Sequence, residues 1–201
     1  MTVIHFVQHA EKQSTAGDPG LTEHGHRQAA NAAAQFRSLG ITNLYSSPLR
    51  RALETARPFA SATGRTICQD ESLRERMNWD GLLARSDFLS DWNRSTRDRD
   101  YWPRVGESSR AAGERLRSFV LSVQDIPGLV VVVTHGGVTV DLLRTLLGDD
   151  NLPPSLIADG VPPCAITTLD GLQVTSLPFK APTGRELVAR NPNCGPDETT
   201  F

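Results

Sequence analysis

The sequence predicts an α/β protein: three layers, α/β/α, around a mainly parallel sheet with an antiparallel edge hairpin and a small helical insertion. Three observations predict it. β-Branched runs at residues 3–7 and 129–133 read as buried parallel strands. Strand and helix patterns alternate along most of the chain, which implies crossover units on one sheet. The 201 residues, 38% hydrophobic and 22% charged, suit a soluble globular core.

The elements follow in order. Residues 2–8 form the first strand, and the Gly/Ser/Asp/Pro-rich stretch 13–20 is a loop. Thr22 caps an alanine-rich helix running to about 38, ended by Gly40. A second strand covers 41–45. Ser46-Ser47-Pro48 opens a helix at 49–63, with proline in the first turn where its missing N–H costs nothing. Gly64 closes it, and 65–69 is a third strand. From 73 to 106 the alternation stops, and Trp79, Trp92 and Trp102 lie among mixed charges. This is the expected insertion or lid, with the tryptophans as its core. A helix at 108–123, a strand at 129–134 and a helix at 138–147 follow. Strands at 164–169 and 172–177 pair around Asp170-Gly171, a favoured two-residue turn. Residues 1–179 are thus read as one domain with a lid at about 73–106. The Pro/Gly/Asn-rich tail 180–201 wraps the surface or is disordered.

The bulk numbers exclude several classes. A net charge of −2 supports neither a nucleic-acid nor a membrane surface as partner. No apolar stretch nears the ~18 residues of a spanning helix, and no leader pattern is present, so a cytoplasmic protein is expected. Cys68, Cys164 and Cys194 are three and lack a paired spacing, which argues against a disulfide framework or zinc site. Cys164 is expected in a buried strand and Cys194 in an exposed tail.

His9 and His135 each follow an apolar strand. In an open α/β sheet, ligand-contacting groups lie beyond the carboxyl ends of such strands. Either histidine alone reads as a structural hydrogen-bonding group. Three features together point to a site instead. Gly136 and Gly137 after His135 let backbone approach a ligand and leave N–H groups free at a helix N-terminus, where anions bind. Arg51 lies in the first turn of a helix that starts right after a strand, and arginine is the bidentate partner of phosphate. Glu75 follows the third strand and can supply a proton. A nucleophile, an anion clamp and an acid on one sheet edge suit phosphoryl transfer.

The chain resembles the histidine phosphatase (phosphoglycerate mutase-like) superfamily. The resemblance rests on Phe6-Val7-Gln8-His9-Ala10-Glu11-Lys12, on Pro19-Gly20-Leu21-Thr22-Glu23-His24-Gly25 with Gln28-Ala29, and on Ser46-Ser47-Pro48-Leu49-Arg50-Arg51-Ala52-Leu53-Glu54-Thr55-Ala56. Leu73-Arg74-Glu75, Gly106-Glu107-Ser108 and Val133-Thr134-His135-Gly136-Gly137 complete it, in order, over roughly residues 3–170. The resemblance implies a phosphomonoester hydrolase acting on a small phosphorylated metabolite, with no cofactor and no metal. It implies His9 as the nucleophile that becomes phosphohistidine, Arg51 and His135 as phosphate contacts, and Glu75 as general acid. Gln8, Gly136, Lys12 and Trp79 join them as substrate-binding candidates. Arg50 points about 100° away from Arg51 on the helix and is expected at the surface.

The family carries arginine where this chain has Gln8. Glutamine keeps a donor amide but loses the charge, a difference of about 1.5–3 kcal/mol, or roughly ten- to a hundredfold. Three readings stand. The substrate brings less charge or another cation, Lys12 or Arg74, compensates; the protein is a weakly active or purely binding relative; or the glutamine is an introduced substitution. A mutase-type phosphotransferase is the remaining alternative. Glu11 and Lys12 read as a local ion pair, His5 as structural, His24 and His26 as solvated, and Glu107 as part of a helix start.

Overall fold

A computed structural model describes residues 2–179. The tail 180–201 and Cys194 lie outside the described residues. The elements are β1 (Thr2–Gln8), α1 (Glu23–Ala34), β2 (Ile41–Ser46), α2 (Arg50–Thr63), β3 (Ile67–Gln69), α3 (Arg85–Arg97), α4 (Ser109–Val123), β4 (Gly128–Thr134), α5 (Gly136–Leu147), α6 (Pro154–Asp159), β5 (Ile166–Asp170) and β6 (Gln173–Phe179).

Six strands form one sheet in the order β3-β2-β4-β1-β5-β6. β3, β2, β4 and β1 are parallel, whereas β5 runs antiparallel to β1 and β6 antiparallel to β5. The predicted class is therefore the observed one. β1 and β4 are apolar on both faces because both faces are covered. Ile4, Phe6, Val130 and Val132 pack with Leu116, Phe119 and Leu142 of α4 and α5 on one face. Val7, Val131 and Val133 pack with Ala33, Phe36, Ala52 and Phe59 on the other. Among the described residues, no helix is long and apolar enough to cross a membrane.

Several local expectations need correction. The first helix ends at Ala34, not near residue 38, because the chain tightens into turns (Phe36 N–H to Ala33 O, Leu39 N–H to Phe36 O) that drive Phe36 into the core. Pro48 precedes α2 rather than lying in its first turn, and Leu49 is the cap. The hairpin turn is Gly171-Leu172, one residue later than expected, with Gly171 at φ +55° and Asp170 opposite Gln173. Cys164 is not in a strand. It is a half-buried turn residue at φ +57°, held there while its N–H bonds Gln8 O at 3.1 Å. The insertion contains one long helix, α3, and its tryptophans do not share a core: Trp102 is 64% exposed, whereas Trp79 and Trp92 are partly buried. Glu11 makes no described ion pair with Lys12. Its carboxylate accepts the Thr22 hydroxyl at 2.6 Å instead.

Other expectations hold. Thr22 caps α1 by accepting Gly25 N–H at 2.9 Å, whereas the cap of α4 is Ser108, which accepts Ala111 N–H at 3.2 Å, and not Glu107. His24 and His26 are exposed. His5 is structural: its Nδ1 lies 2.9 Å from Thr168 Oγ1, its ring meets Phe36 edge-on, and burial lowers its pKa to about 4.

Candidate active site

β1 and β4 are in register with Gln8 opposite Thr134, so the next residues, His9 and His135, leave adjacent strands at the same end. His9 N–H bonds Thr134 O at 3.0 Å, and the two imidazole centroids are 5.2 Å apart, nearly edge to face. The structure thus brings the two histidines together.

His9 is fixed at both ring nitrogens. Nδ1 lies 2.7 Å from Ala10 O. A carbonyl only accepts, so Nδ1 carries the hydrogen and Nε2 keeps its lone pair. Arg51 Nε donates toward that lone pair at 3.3 Å. Burial, then the Arg51 guanidinium and the Lys12 ammonium, push the His9 pKa down to about 3 against the weaker opposing effect of Ala10 O. The ring is therefore neutral at any physiological pH.

Arg51 reaches the site from the first turn of α2, as its position after β2 predicts. It is 3% exposed, its Nη1 donates to Asn78 Oδ1 at 3.1 Å, and Asp18 lies 4.0 Å away. Burial lowers its pKa, and Glu75 and Asp18 oppose that. Arg50 faces outward and pairs with Glu54 at 2.7 Å.

His135 caps α5 and is fully buried behind His9. Its Nε2 is 2.7 Å from Ser47 Oγ, and that oxygen already accepts Leu49 N–H at 3.3 Å. Nε2 and the Ser47 hydroxyl share one hydrogen bond. Nδ1 has no partner among the described residues. Burial first, then Arg51 and His9, hold His135 well below its ordinary pKa.

Glu75 occupies the anion position that the glycines were expected to leave open. Gly137 N–H donates to its Oε2 at 3.0 Å, and Val138 and Arg76 N–H groups donate to Oε1 at 2.8 and 2.9 Å. Two of the donors are the first turn of α5, where the helix dipole favours a carboxylate. The correction has a steric cause. A methyl on Gly137 would sit 2.6 Å from Glu75 Oε1 and 2.7 Å from Trp92 Cη2, so only glycine admits both side chains. Gly137→Ala is helix-compatible, so its effect reads that close approach alone. It is expected to lower kcat on the order of 10²-fold by displacing Glu75, with thermal melting of the variant showing that the fold remains. Unchanged kcat would sever Glu75 from the chemistry.

Two cavities meet at His9 and Glu75 and share Lys12 and Trp92. One, of about 300 Å³, runs past Arg51, Asn78, Trp79 and Phe88. The other, of about 270 Å³, opens on the Gln8 side against Gly136, Arg76, Arg144 and Val161. Lys12 and Trp79 therefore stand where the sequence placed them, as walls. Gln8 is 8% exposed; its backbone is held by Cys164 N–H and Ala165 O, and its Oε1 has no partner among the described residues. Arg74 is not a wall. It is exposed and pairs with Glu71 at 3.3 Å. Glu107 binds Arg115 rather than the site.

Sequence reasoning missed four supports. Asn78 orients Arg51, and Ser47 orients His135. Arg76 is buried against Asp141 of α5 at 2.8 Å, with Ser109 Oγ also donating to that carboxylate at 2.5 Å and Trp92 stacking on the guanidinium at 4.2 Å. This cluster anchors the residue next to Glu75. Burial raises the Asp141 pKa to about 6 despite Arg76. Trp92, expected only as core, is a shared wall. Among the described residues no group of three or more His, Cys, Asp or Glu is arranged to hold a metal.

Comparison with known proteins agrees with this geometry. The family model of the histidine phosphatase superfamily (branch 1) matches residues 4–172. A probable phosphoglycerate mutase GpmB of Klebsiella pneumoniae (strain 342) is 33% identical over 165 residues, covering 74% of this chain and 76% of the relative. The structure of mycobacterial glucosyl-3-phosphoglycerate phosphatase superposes with a TM-score of 0.67 at 28% identity, covering 83% of this chain and 88% of that one. The phosphoserine phosphatase of Entamoeba histolytica, in complex with 3-phosphoglyceric acid, shares the fold with a TM-score of 0.70 at 22% identity, covering 91% and 99%.

Proposed function

The chain belongs to the histidine phosphatase superfamily, and from that premise we propose that it hydrolyses phosphate monoesters of small metabolites through a phosphohistidine on His9. The observation that carries this reading is the fixed tautomer of His9: Nδ1 tied to Ala10 O, and Nε2 keeping its lone pair, toward which Arg51 Nε donates. In the first step Nε2 bonds to phosphorus and the bond to the ester oxygen breaks, with Glu75 giving that oxygen its proton. In the second, Glu75 takes a proton from water, the water oxygen bonds to phosphorus, the P–N bond breaks and phosphate leaves. Arg51 and His135 meet the charge on the phosphoryl oxygens. To act, Glu75 releases Gly137 and Val138 N–H, which then become donors for the phosphate.

Hydrolysis rather than phosphoryl transfer is supported by the two cavities that reach His9, since a transferase must keep its phosphoenzyme dry. Residues 73–106 act as the lid, because α3 and the loop before it supply Trp79, Phe88 and Trp92 to the walls. Lys12 supplies the cation that Gln8 does not. It faces both cavities, and burial, Arg51 and Arg85 lower its pKa. Lys12→Met is therefore expected to raise KM for phosphate esters about tenfold, the loss of one charge-assisted contact, with little change in kcat.

The test is release of inorganic phosphate from a panel of phosphomonoesters in the presence of a chelator. Turnover supports the reading. Thermal stabilisation by the esters without turnover on any of them would make the protein a phosphate-ester binder, the reading that the neutral Gln8 beside His9 favours.

A further inference from the structure

We propose that the larger cavity takes the alcohol half of the ester as a planar apolar ring, so that the preferred substrates are phosphate monoesters of aromatic or arylalkyl alcohols. The proposal rests on the phosphatase reading and names the substrate class for that same site. The cavity has two ends of different chemistry. His9, Arg51 and Glu75 make its polar part. Beyond it the wall is carbon: Met77, Trp79, Phe88, Leu89 and Trp92.

Ser14, Thr15, Lys12 and Arg85 also line the cavity, but the polar atoms among its apolar side chains and of Asn78 are already spent on the protein. Asn78 Nδ2 donates to Gly17 O at 2.7 Å while its Oδ1 accepts from Arg51. Trp79 Nε1 donates to Leu83 O at 2.7 Å. The Met77 sulfur accepts from Ser95 Oγ at 3.7 Å. A polyol seated against Met77, Trp79, Phe88, Leu89 and Trp92 would give up its water without replacement, whereas a ring would not. Two rings of the wall, Phe88 and Trp92, are 6.3 Å apart and tilted by 33°, which suits offset stacking with a third. Guanidinium groups lie over both indoles, Arg85 at 5.9 Å from Trp79 and Arg76 at 4.2 Å from Trp92. They hold the indoles in place and put positive charge near the dianion. Leu89 is 46% exposed, an apolar side chain kept in water at the edge of this wall. The second cavity contrasts with this one, since Arg76, Thr96, Arg144 and Asp159 line it.

The test compares 2-phenylethyl phosphate with ethyl phosphate and glycerol 1-phosphate. These are all primary alkyl esters, so a difference reports mainly the pocket rather than the leaving group. The wild-type protein is expected to favour the phenylethyl ester about tenfold or more in kcat/KM, mostly through KM, as burial of a ring in a preformed apolar site implies. Trp79→Ala and Phe88→Ala should each shrink that ratio. The same three esters are titrated calorimetrically into His9→Ala, where no chemistry occurs, and the order of affinities should be the same. Absence of turnover on every ester would defeat the phosphatase reading alone, because the affinities still decide the pocket. Equal affinities, or a preference for glycerol 1-phosphate, would overturn the aromatic assignment.

Discussion

His9→Ala is expected to reduce phosphate release by at least about 10³-fold on every ester that the wild-type protein turns over. The reason is specific to this geometry. Arg51 is held by Asn78 and the first turn of α5 by its own helix, so the variant is expected to keep the proposed phosphate site and to lose only the lone pair at Nε2. Affinity for inorganic phosphate should therefore change far less than kcat. That split separates a lost nucleophile from a collapsed pocket. Wild-type protein quenched in alkali during turnover should carry one base-stable phosphoryl group on histidine, and the variant none. Turnover by His9→Ala within tenfold of wild type would remove the covalent mechanism.

The second large effect is acid sensitivity. His5, His9 and His135 are buried and neutral, with pKa values of about 4, about 3 and well below 6.5. In the unfolded chain each takes a proton near pH 6.5. Between about pH 6.5 and 4 the unfolded state thus binds up to three more protons than the folded one. The stability these groups contribute is whole above pH 6.5 and is lost as pH falls. Asp141 acts in the opposite sense. Its pKa, raised to about 6, makes the folded state the better proton binder from there down to the ordinary carboxylate range, which offsets one of the three. The net slope near pH 5 is about 3 kcal/mol per pH unit, at roughly 1.4 kcal/mol per proton. Integrated from pH 6.5 to 5, about 4–5 kcal/mol is lost, most of a stability at the low end of the typical range of about 5–15 kcal/mol and about a third of one at the high end. Urea midpoints at pH 7, 6 and 5 measure the slope, and His5→Gln, remote from the chemistry, should reduce it by about one proton. Equal midpoints at pH 7 and 5 would contradict the burial of neutral imidazoles.

How much of this was legible in the sequence depends on the range of the forces involved. Strands β1 and β4 were legible because a sheet covered on both faces demands an unbroken apolar run. The cap at Thr22 was legible because capping is settled within three residues. Arg51 was legible from its place just after a strand. The end of α1 was not, since Ala32, Ala33 and Ala34 continue a helix equally well and burial of Phe36 decides otherwise. α6 went unassigned, although Pro154 in its first turn is a recognised start signal. The partners of the site residues were the least legible. Ser47 and His135 are 88 residues apart, and Arg76 and Asp141 are 65 apart. No local pattern announces such pairs. The glycines after His135 were read as an open anion site, and only the fold shows that Glu75 of the same chain fills it.

The position of β1 has a consequence for how the molecule comes into being. Its two neighbours are β4 and β5, so Thr2 pairs with Gly128 and Val3 with Asp170. Contacts that distant in sequence form late, because the intervening chain must first be closed into a loop. On a ribosome, the strand that carries His9 is made before either neighbour and waits for β4 and then β5, on the order of ten seconds at ordinary elongation rates. During that interval Val3, Ile4, Phe6 and Val7 have no sheet to enter. The apolar strand that carries His9 thus stays uncovered, and open to aggregation, until the strands on either side of it have been made.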